Sequence, residues 1–215
     1  MSLPELPDAP LRLAWRREAI AARVQELGTE ITARYQGQDL VLVGVLKSAA
    51  VFLADLVRAI ELPLRLDFIA LRSVDGGERT AAPPALLKDL EFDITDCAVL
   101  LVEDVVDSGI TMSQVHRLLQ TRQPRSLRLC SLLDRRGRRV TDLPLDHVGF
   151  AVGPATLVGY GLDLGGHFRA LPDLWEVVDR TALLADPAAA IAAVSESIKL
   201  SANLGASAND LDSSD

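Results

Sequence analysis

The sequence predicts an α/β protein whose mainly parallel sheet is flanked by helices. Short apolar runs rich in Val and Leu alternate with stretches whose apolar residues recur at helical spacing. The strand-like runs are apolar throughout, which is typical of parallel strands buried on both faces. About half of the 215 residues are apolar, with 49% in the hydrophobic classes. The chain is therefore long and apolar enough for one domain with a substantial core.

The apolar periodicity places the elements along the chain. Residues 1–12 are predicted to be an N-terminal arm, and residues 13–180 the main domain. An Ala-rich helix is predicted over residues 181–204, followed by a disordered acidic tail over residues 205–215. Within the main domain, helices are predicted over residues 13–35, 48–60 and 111–122, and strands over residues 40–46, 64–70, 98–102, 127–133, 148–152 and 157–160.

Charge and cysteine content limit the function. The formal charge of −8 argues against a nucleic-acid-binding surface. An anionic small molecule remains possible, because a few local cations and backbone N–H groups suffice to bind one. Cys97 and Cys130 lie in apolar runs without metal-ligand spacing and are predicted to be free, buried thiols. With an acidic, proline-rich start and no apolar run near the roughly 20 residues that span a bilayer, we expect no membrane contact and a cytoplasmic location.

The chemistry is concentrated in residues 99–112, where an apolar run leads into Glu103 and Asp104. Carboxylates at the carboxyl end of a parallel strand lie where open α/β sheets bind ligands. The pair could accept hydrogen bonds from ribose hydroxyls and support a hydrated Mg²⁺.

A turn follows the acid pair and opens the next predicted helix. It consists of Asp107, Ser108, Gly109, Ile110 and Thr111. Free backbone N–H groups at a helix start, two hydroxyls and a flexible glycine can wrap a phosphate monoester. An isolated Asp-Ser-Gly would more simply be a solvated loop with a helix cap. Here the strand, the acids, the turn and the helix occur in an order that favours the phosphate site.

This segment resembles the type I phosphoribosyltransferases, specifically the hypoxanthine/guanine branch. The resemblance extends over about residues 13–180. The other segments similar to that branch are Gly44–Ala49, Leu87–Leu90, Leu132–Arg135, Val158–Asp163 and Phe168–Arg169.

The resemblance implies a reaction and an architecture. Phosphoribosyl pyrophosphate with Mg²⁺ would donate ribose 5-phosphate to N9 of a 6-oxopurine base, and pyrophosphate would leave. The fold would be a parallel sheet flanked by helices with a small hood over the base. A homo-dimer or homo-tetramer is the assembly that the resemblance implies.

The resemblance also implies roles for particular residues. Asp107 would be the general base that takes the purine N7 proton, and Glu103 with Asp104 would bind the ribose and the metal. The remaining implied sites are Lys47, Ser48 and Arg169 for pyrophosphate, Arg135, Thr156, Leu157, Val158 and Asp163 for the base, Asp163 again for the metal, and Arg72 with Ser73 for a lid over the site.

Four positions depart from the branch, and all concern the base or the lid. Thr156 stands where an aromatic residue usually stacks on the purine, and Arg135 replaces a lysine. Val74 replaces the lid tyrosine, and Leu164 follows Asp163 where an aromatic is common. Three hypotheses therefore stay open: a hypoxanthine/guanine enzyme with a variant pocket, an enzyme for xanthine or a modified purine, and a non-catalytic nucleotide sensor.

Overall fold

A six-stranded sheet forms the centre of the protein in a computed structural model that describes residues 9–71, 86–196 and 198. The strands are β1 (Leu11–Trp15), β2 (Leu40–Val45), β3 (Leu64–Leu71), β4 (Leu86–Lys88), β5 (Ala98–Val106), β6 (Ser126–Asp134), β7 (His147–Ala151), β8 (Leu157–Val158) and β9 (Leu174–Val177). The helices are α1 (Arg17–Arg34), α2 (Ala49–Ala59), α3 (Ile110–Gln120), α4 (Arg180–Ala185) and α5 over residues 187–196.

The large sheet has the order β4-β3-β2-β5-β6-β7. All its pairs are parallel except the edge pair of β3 with β4. This confirms the predicted mainly parallel sheet. Because β5 lies between β2 and β6, the acid pair at its end lies in the middle of the sheet edge, with neighbours on both sides.

Helices cover both faces of this sheet. One apolar cluster joins α1 and α2 to the sheet through buried residues such as Leu27 and Phe52. A second cluster on the other face contains Met112, Val115 and Leu119 of α3. Cys97 and Cys130 are free and buried, as predicted.

A separate three-stranded antiparallel sheet, with the order β1-β9-β8, forms the hood that the family resemblance implies. The predicted helix over residues 13–35 was wrong at its start, since residues 11–15 are strand and α1 begins at Arg17. Leu11, Leu13 and Trp15 alternate as a strand requires, but the partner strand lies about 160 residues away in sequence. β1 therefore begins inside the segment predicted to be an N-terminal arm, residues 1–12.

The C-terminal region differs from the single predicted helix over residues 181–204. It contains two helices that are separated at Asp186. Pro187 has no N–H to donate within a helix, and the Asp186 carboxylate accepts the Ala189 N–H at 2.9 Å as an N-cap. The predicted lid, with Arg72, Ser73 and Val74, and the predicted tail over residues 205–215 lie outside the described residues. In the described part of the chain, no helix is long and apolar enough to cross a membrane.

Candidate active site

The acid pair lies within β5, which continues to Val106 rather than ending at residue 102 as predicted. Asp104 is buried and Glu103 is half-buried. Burial, together with the negative charge of Asp104, raises the pKa of Glu103 well above its usual range. Among the described residues no cation pairs with either carboxylate. Such a pair, closely spaced and without a positive partner, favours a ligand that brings a cation or hydroxyl donors.

The predicted phosphate turn connects β5 to α3. Gly109 has a φ of +79°, a conformation that L residues rarely adopt, and a Cβ there would overlap the hydroxyl of Thr141. The Ile110 N–H reaches Ser108 Oγ at 3.3 Å, and the Ser113 N–H donates to the Gly109 carbonyl at 2.9 Å. The remaining N–H groups of the first helical turn are thus available to an anion, with the positive end of the helix dipole behind them.

A segment that the sequence analysis missed closes over this turn. The Val140 N–H donates to the Ser108 carbonyl at 3.0 Å, and the Thr141 hydroxyl lies 3.5 Å from the same oxygen. Arg138 places its Nε 3.4 Å from Asp107 Oδ1. The only signal in the sequence was the run of four arginines within residues 135–139, directly after β6.

Arg135 joins the phosphate turn to the predicted base segment. Its Nη1 lies 3.3 Å from Asp107 Oδ2, and its Nη2 donates to the Ala155 carbonyl at 2.7 Å. The guanidinium is 90% buried, and its Nε–H has no acceptor among the described residues. Arg135 therefore orients Asp107 while keeping one donor free.

The predicted base segment contains one exposed and two buried residues. Thr156 is exposed, whereas Leu157 and Val158 are buried and pack into two different apolar clusters. The side chains of Leu157 and Val158 are therefore committed to the core, and only their backbone is left to meet a base.

Two of the residues predicted to bind pyrophosphate, Ser48 and Arg169, are in direct contact. Its Nη1 donates to Ser48 Oγ and to the Gly161 carbonyl, each at 2.6 Å, and its Nη2 lies 2.6 Å from Asp163 Oδ1. Lys47 is exposed beside Ser48, between β2 and α2. One arginine thus links the loop after β2 to the hood segment that carries Asp163.

Two further contacts hold the hood segment on α2. Gly161 packs so closely on the loop that a Cβ would lie 2.6 Å from the Ser48 carbonyl oxygen. In the second contact, Tyr160 Oη donates to Asp55 Oδ2 of α2 at 2.5 Å. The sequence analysis did not predict this contact. Burial and the nearby Asp55 carboxylate raise the pKa of Tyr160 above its usual range, so the hydroxyl stays a donor.

The residues predicted to contact the metal are Glu103, Asp104 and Asp163. Among the described residues no group of three or more His, Cys, Asp or Glu side chains could hold a metal ion. Asp163 pairs with Arg169 and accepts the Gly166 N–H at 2.8 Å. The predicted lid residues Arg72 and Ser73 lie outside the described residues.

Comparison with known proteins agrees with this fold. Residues 16–163 match the model of the phosphoribosyl transferase domain family. A hypoxanthine phosphoribosyltransferase of Salmonella typhimurium is 44% identical over 161 residues, which cover 74% of this chain and 90% of the relative. A hypoxanthine-guanine phosphoribosyltransferase of Aquifex aeolicus is 40% identical over 178 residues, covering 82% of this chain and all of the relative.

Solved structures that resemble this chain are also hypoxanthine phosphoribosyltransferases. A hypoxanthine phosphoribosyltransferase from Staphylococcus aureus superimposes with a TM-score of 0.74 at 36% identity, covering 77% of this chain and 90% of the other. A Trypanosoma cruzi hypoxanthine phosphoribosyltransferase in complex with the product IMP gives 0.72 at 32% identity, covering 77% and 92%.

The chain belongs to the phosphoribosyltransferase family. Within that family it falls in the branch of the hypoxanthine and hypoxanthine-guanine enzymes, because its relatives at 40–45% identity carry those names. The fold and the branch that the sequence resembles are thereby confirmed.

Proposed function

We propose that this enzyme transfers ribose 5-phosphate from phosphoribosyl pyrophosphate to N9 of hypoxanthine or guanine, which gives the nucleoside monophosphate and pyrophosphate. The observation that carries the proposal is the end of β5, where two carboxylates without a cation are followed by a left-handed glycine and a helix start. This arrangement offers hydrogen-bond acceptors for a sugar and donors for a phosphate within one short segment.

The sugar-phosphate half of the substrate is bound by β5 and α3. Backbone N–H groups and hydroxyls of Ser108–Thr111 hold the 5′-phosphate, and Glu103 with Asp104 accept hydrogen bonds from the ribose hydroxyls. β5 holds the two carboxylates, and the turn with the start of α3 holds the N–H groups, before the substrate arrives. Such preorganisation supplies much of the rate enhancement in a reaction that depends on positioning.

The residues fit Mg²⁺ that arrives with the substrate rather than one held by protein ligands alone. The Glu103–Asp104 pair is the place where the structure leaves negative charge without a cation, and it would hold the ion through ribose hydroxyls and water. When bound, the ion neutralises charge on the departing pyrophosphate. Asp163 is a second carboxylate contact, and it is held in place by Arg169.

The pyrophosphate leaves toward the loop after β2. Lys47 supplies an exposed cation, and Ser48 and Arg169 supply donors that are already joined by a 2.6 Å hydrogen bond. Because the leaving group carries the negative charge that develops as the C1′–O bond breaks, donors fixed at this place stabilise the transition state.

Asp107 is the general base of the proposed reaction. It accepts the proton from N7 of the purine as the new bond forms at N9. Arg135 holds its carboxylate at 3.3 Å, and Arg135 is also the proposed donor to the purine 6-oxo group. Thr156 and the backbone of Leu157 and Val158 complete the base site.

The experiment that tests this function measures pyrophosphate release from phosphoribosyl pyrophosphate and Mg²⁺. Hypoxanthine, guanine, xanthine and adenine are supplied in separate reactions, and a reaction without base is the control. Turnover with hypoxanthine or guanine is expected. Turnover with xanthine alone would move the protein to a different base, and nucleotide binding without any turnover would identify a sensor instead.

We also propose a homo-dimer or homo-tetramer in the cytoplasm. The assembly rests on the family resemblance, and two buried free thiols suit a reducing compartment. Light scattering of the purified protein measures the assembly directly, and a monomeric mass at micromolar concentration would contradict it.

A further inference from the structure

The hood sheet has two apolar faces, and they pack against different parts of the molecule. Leu157 and Leu174 point into the cluster shared with α1 and α2. The neighbouring residues Val158 and Trp175 point the other way, into a second cluster. This alternation is what two strands require when both faces of their sheet are covered.

The C-terminal helices cover the outer face. Leu183 of α4 is fully buried there, and Ala190 and Val194 of α5 are nearly so. These helices lie beyond residues 16–163, which match the family model. The outer face of the hood is thus closed by a segment outside the family's common domain.

Local contacts fix α4 against the start of the chain. The Asp179 carboxylate accepts the Thr181 and Ala182 N–H groups at 2.9 and 3.0 Å and caps the helix. The Val178 and Asp179 N–H groups donate to the Pro10 carbonyl beside β1. The position of α4 therefore follows that of the hood sheet.

The same helices touch the turn that carries two site residues. Leu164 and Phe168 belong to the cluster of Leu183 and are 6% and 2% exposed. Leu164 directly follows Asp163, and Phe168 directly precedes Arg169. Leu184 Cδ2 lies 2.9 Å from the position that a Cβ would occupy on Gly165, at the tip of the turn.

We propose that α4 and α5 act as a buttress that fixes the turn between Asp163 and Arg169, and that Leu183 is its central positioning residue. The proposal rests on the proposed function, in which Asp163 and Arg169 serve the metal and pyrophosphate. Leu164 and Phe168, the neighbours of Asp163 and Arg169 in sequence, are packed against the buttress. This packing limits how far the Asp163 and Arg169 side chains can move.

The test compares two buried leucines of equal exposure. Leu183→Ala and Leu27→Ala each remove a fully buried side chain, and each should lower Tm by about 5–15 °C. Leu27 lies in α1, in the other apolar cluster. We expect Leu183→Ala to raise KM for pyrophosphate in the reverse reaction about tenfold, with KM for the purine nucleotide unchanged. Leu27→Ala should leave both KM values within about twofold.

Two further variants keep the test decisive if Leu183→Ala does not fold. Leu184→Ala trims a residue that is 41% exposed, so it should fold normally and still raise KM for pyrophosphate about threefold. Leu183→Met should restore the wild-type value, since it refills the cavity. Equal KM values for pyrophosphate in the Leu183→Ala, Leu184→Ala and Leu27→Ala proteins would overturn the proposal.

Hydrogen exchange separates failure of the buttress from failure of the proposed function. In the unmodified and Leu183→Ala proteins, amide exchange of residues 159–169 is measured without substrate. Faster exchange in the variant supports the buttress even if no base is turned over, which would refute only the proposed function. Unchanged exchange together with normal turnover would refute the buttress alone.

Discussion

The two halves of the candidate site are built in different ways. At the end of β5, contiguous residues and the sheet itself place the groups that would bind the sugar phosphate. In the hood, side chains reach across long stretches of sequence, as Arg169 does to Ser48 and Tyr160 to Asp55. The first half is therefore rigid by backbone pairing along one segment, and the second depends on apolar packing and side-chain contacts between segments distant in sequence.

Loss of charge at Asp107 should have the largest effect, because it removes the proposed general base from the rigid half. Asp107→Asn keeps the shape of the side chain and an oxygen for Arg135. We expect kcat to fall about 10²–10⁴-fold while KM for phosphoribosyl pyrophosphate stays within about threefold. Steady-state kinetics with saturating hypoxanthine measure both quantities.

The control for that variant is Asp142→Asn, which makes the same change at an exposed position beside Thr141. It should leave kcat within about twofold. An Asp107→Asn protein with wild-type kcat would show that another group takes the purine proton.

Removal of Arg169 should have the next largest effect, because one guanidinium joins three groups in the hood half. Arg169→Ala breaks contacts to Ser48, Gly161 and Asp163. Hydrogen bonds that involve a charged group contribute about 1.5–3 kcal/mol, so KM for pyrophosphate should rise about 10–100-fold. The reverse reaction with nucleoside monophosphate measures it.

Arg117→Ala is the matched control, since among the described residues the Arg117 side chain hydrogen-bonds only to the Ser113 carbonyl of its own helix. Its KM for pyrophosphate should not change. An equal rise in both variants would indicate a general effect of lost positive charge on an acidic protein rather than a specific contact.

The sequence predicted the rigid half far better than the hood. Glu103 to Thr111 form one uninterrupted segment, so strand, acids, turn and helix could be recognised together, and only the length of β5 was underestimated. The strand nature of Leu11–Trp15 depends on β9, and the Arg138 contact to Asp107 depends on how the chain turns after β6. Such contacts between distant residues leave no periodic signal in a single sequence.

The smallest effect is expected from the two buried tyrosines, of which one has a partner for its hydroxyl and the other has none among the described residues. Tyr160 donates to Asp55, whereas the buried hydroxyl of Tyr35 has no hydrogen-bond partner among the described residues. Tyr160→Phe should lower the free energy of unfolding by about 1 kcal/mol, or Tm by about 2–4 °C. Tyr35→Phe should leave stability unchanged or slightly raised, because it removes a polar group buried without a partner. Thermal unfolding of both variants measures this difference, and an equal loss of Tm in the two would mean that the contact between the hood and α2 contributes nothing to stability.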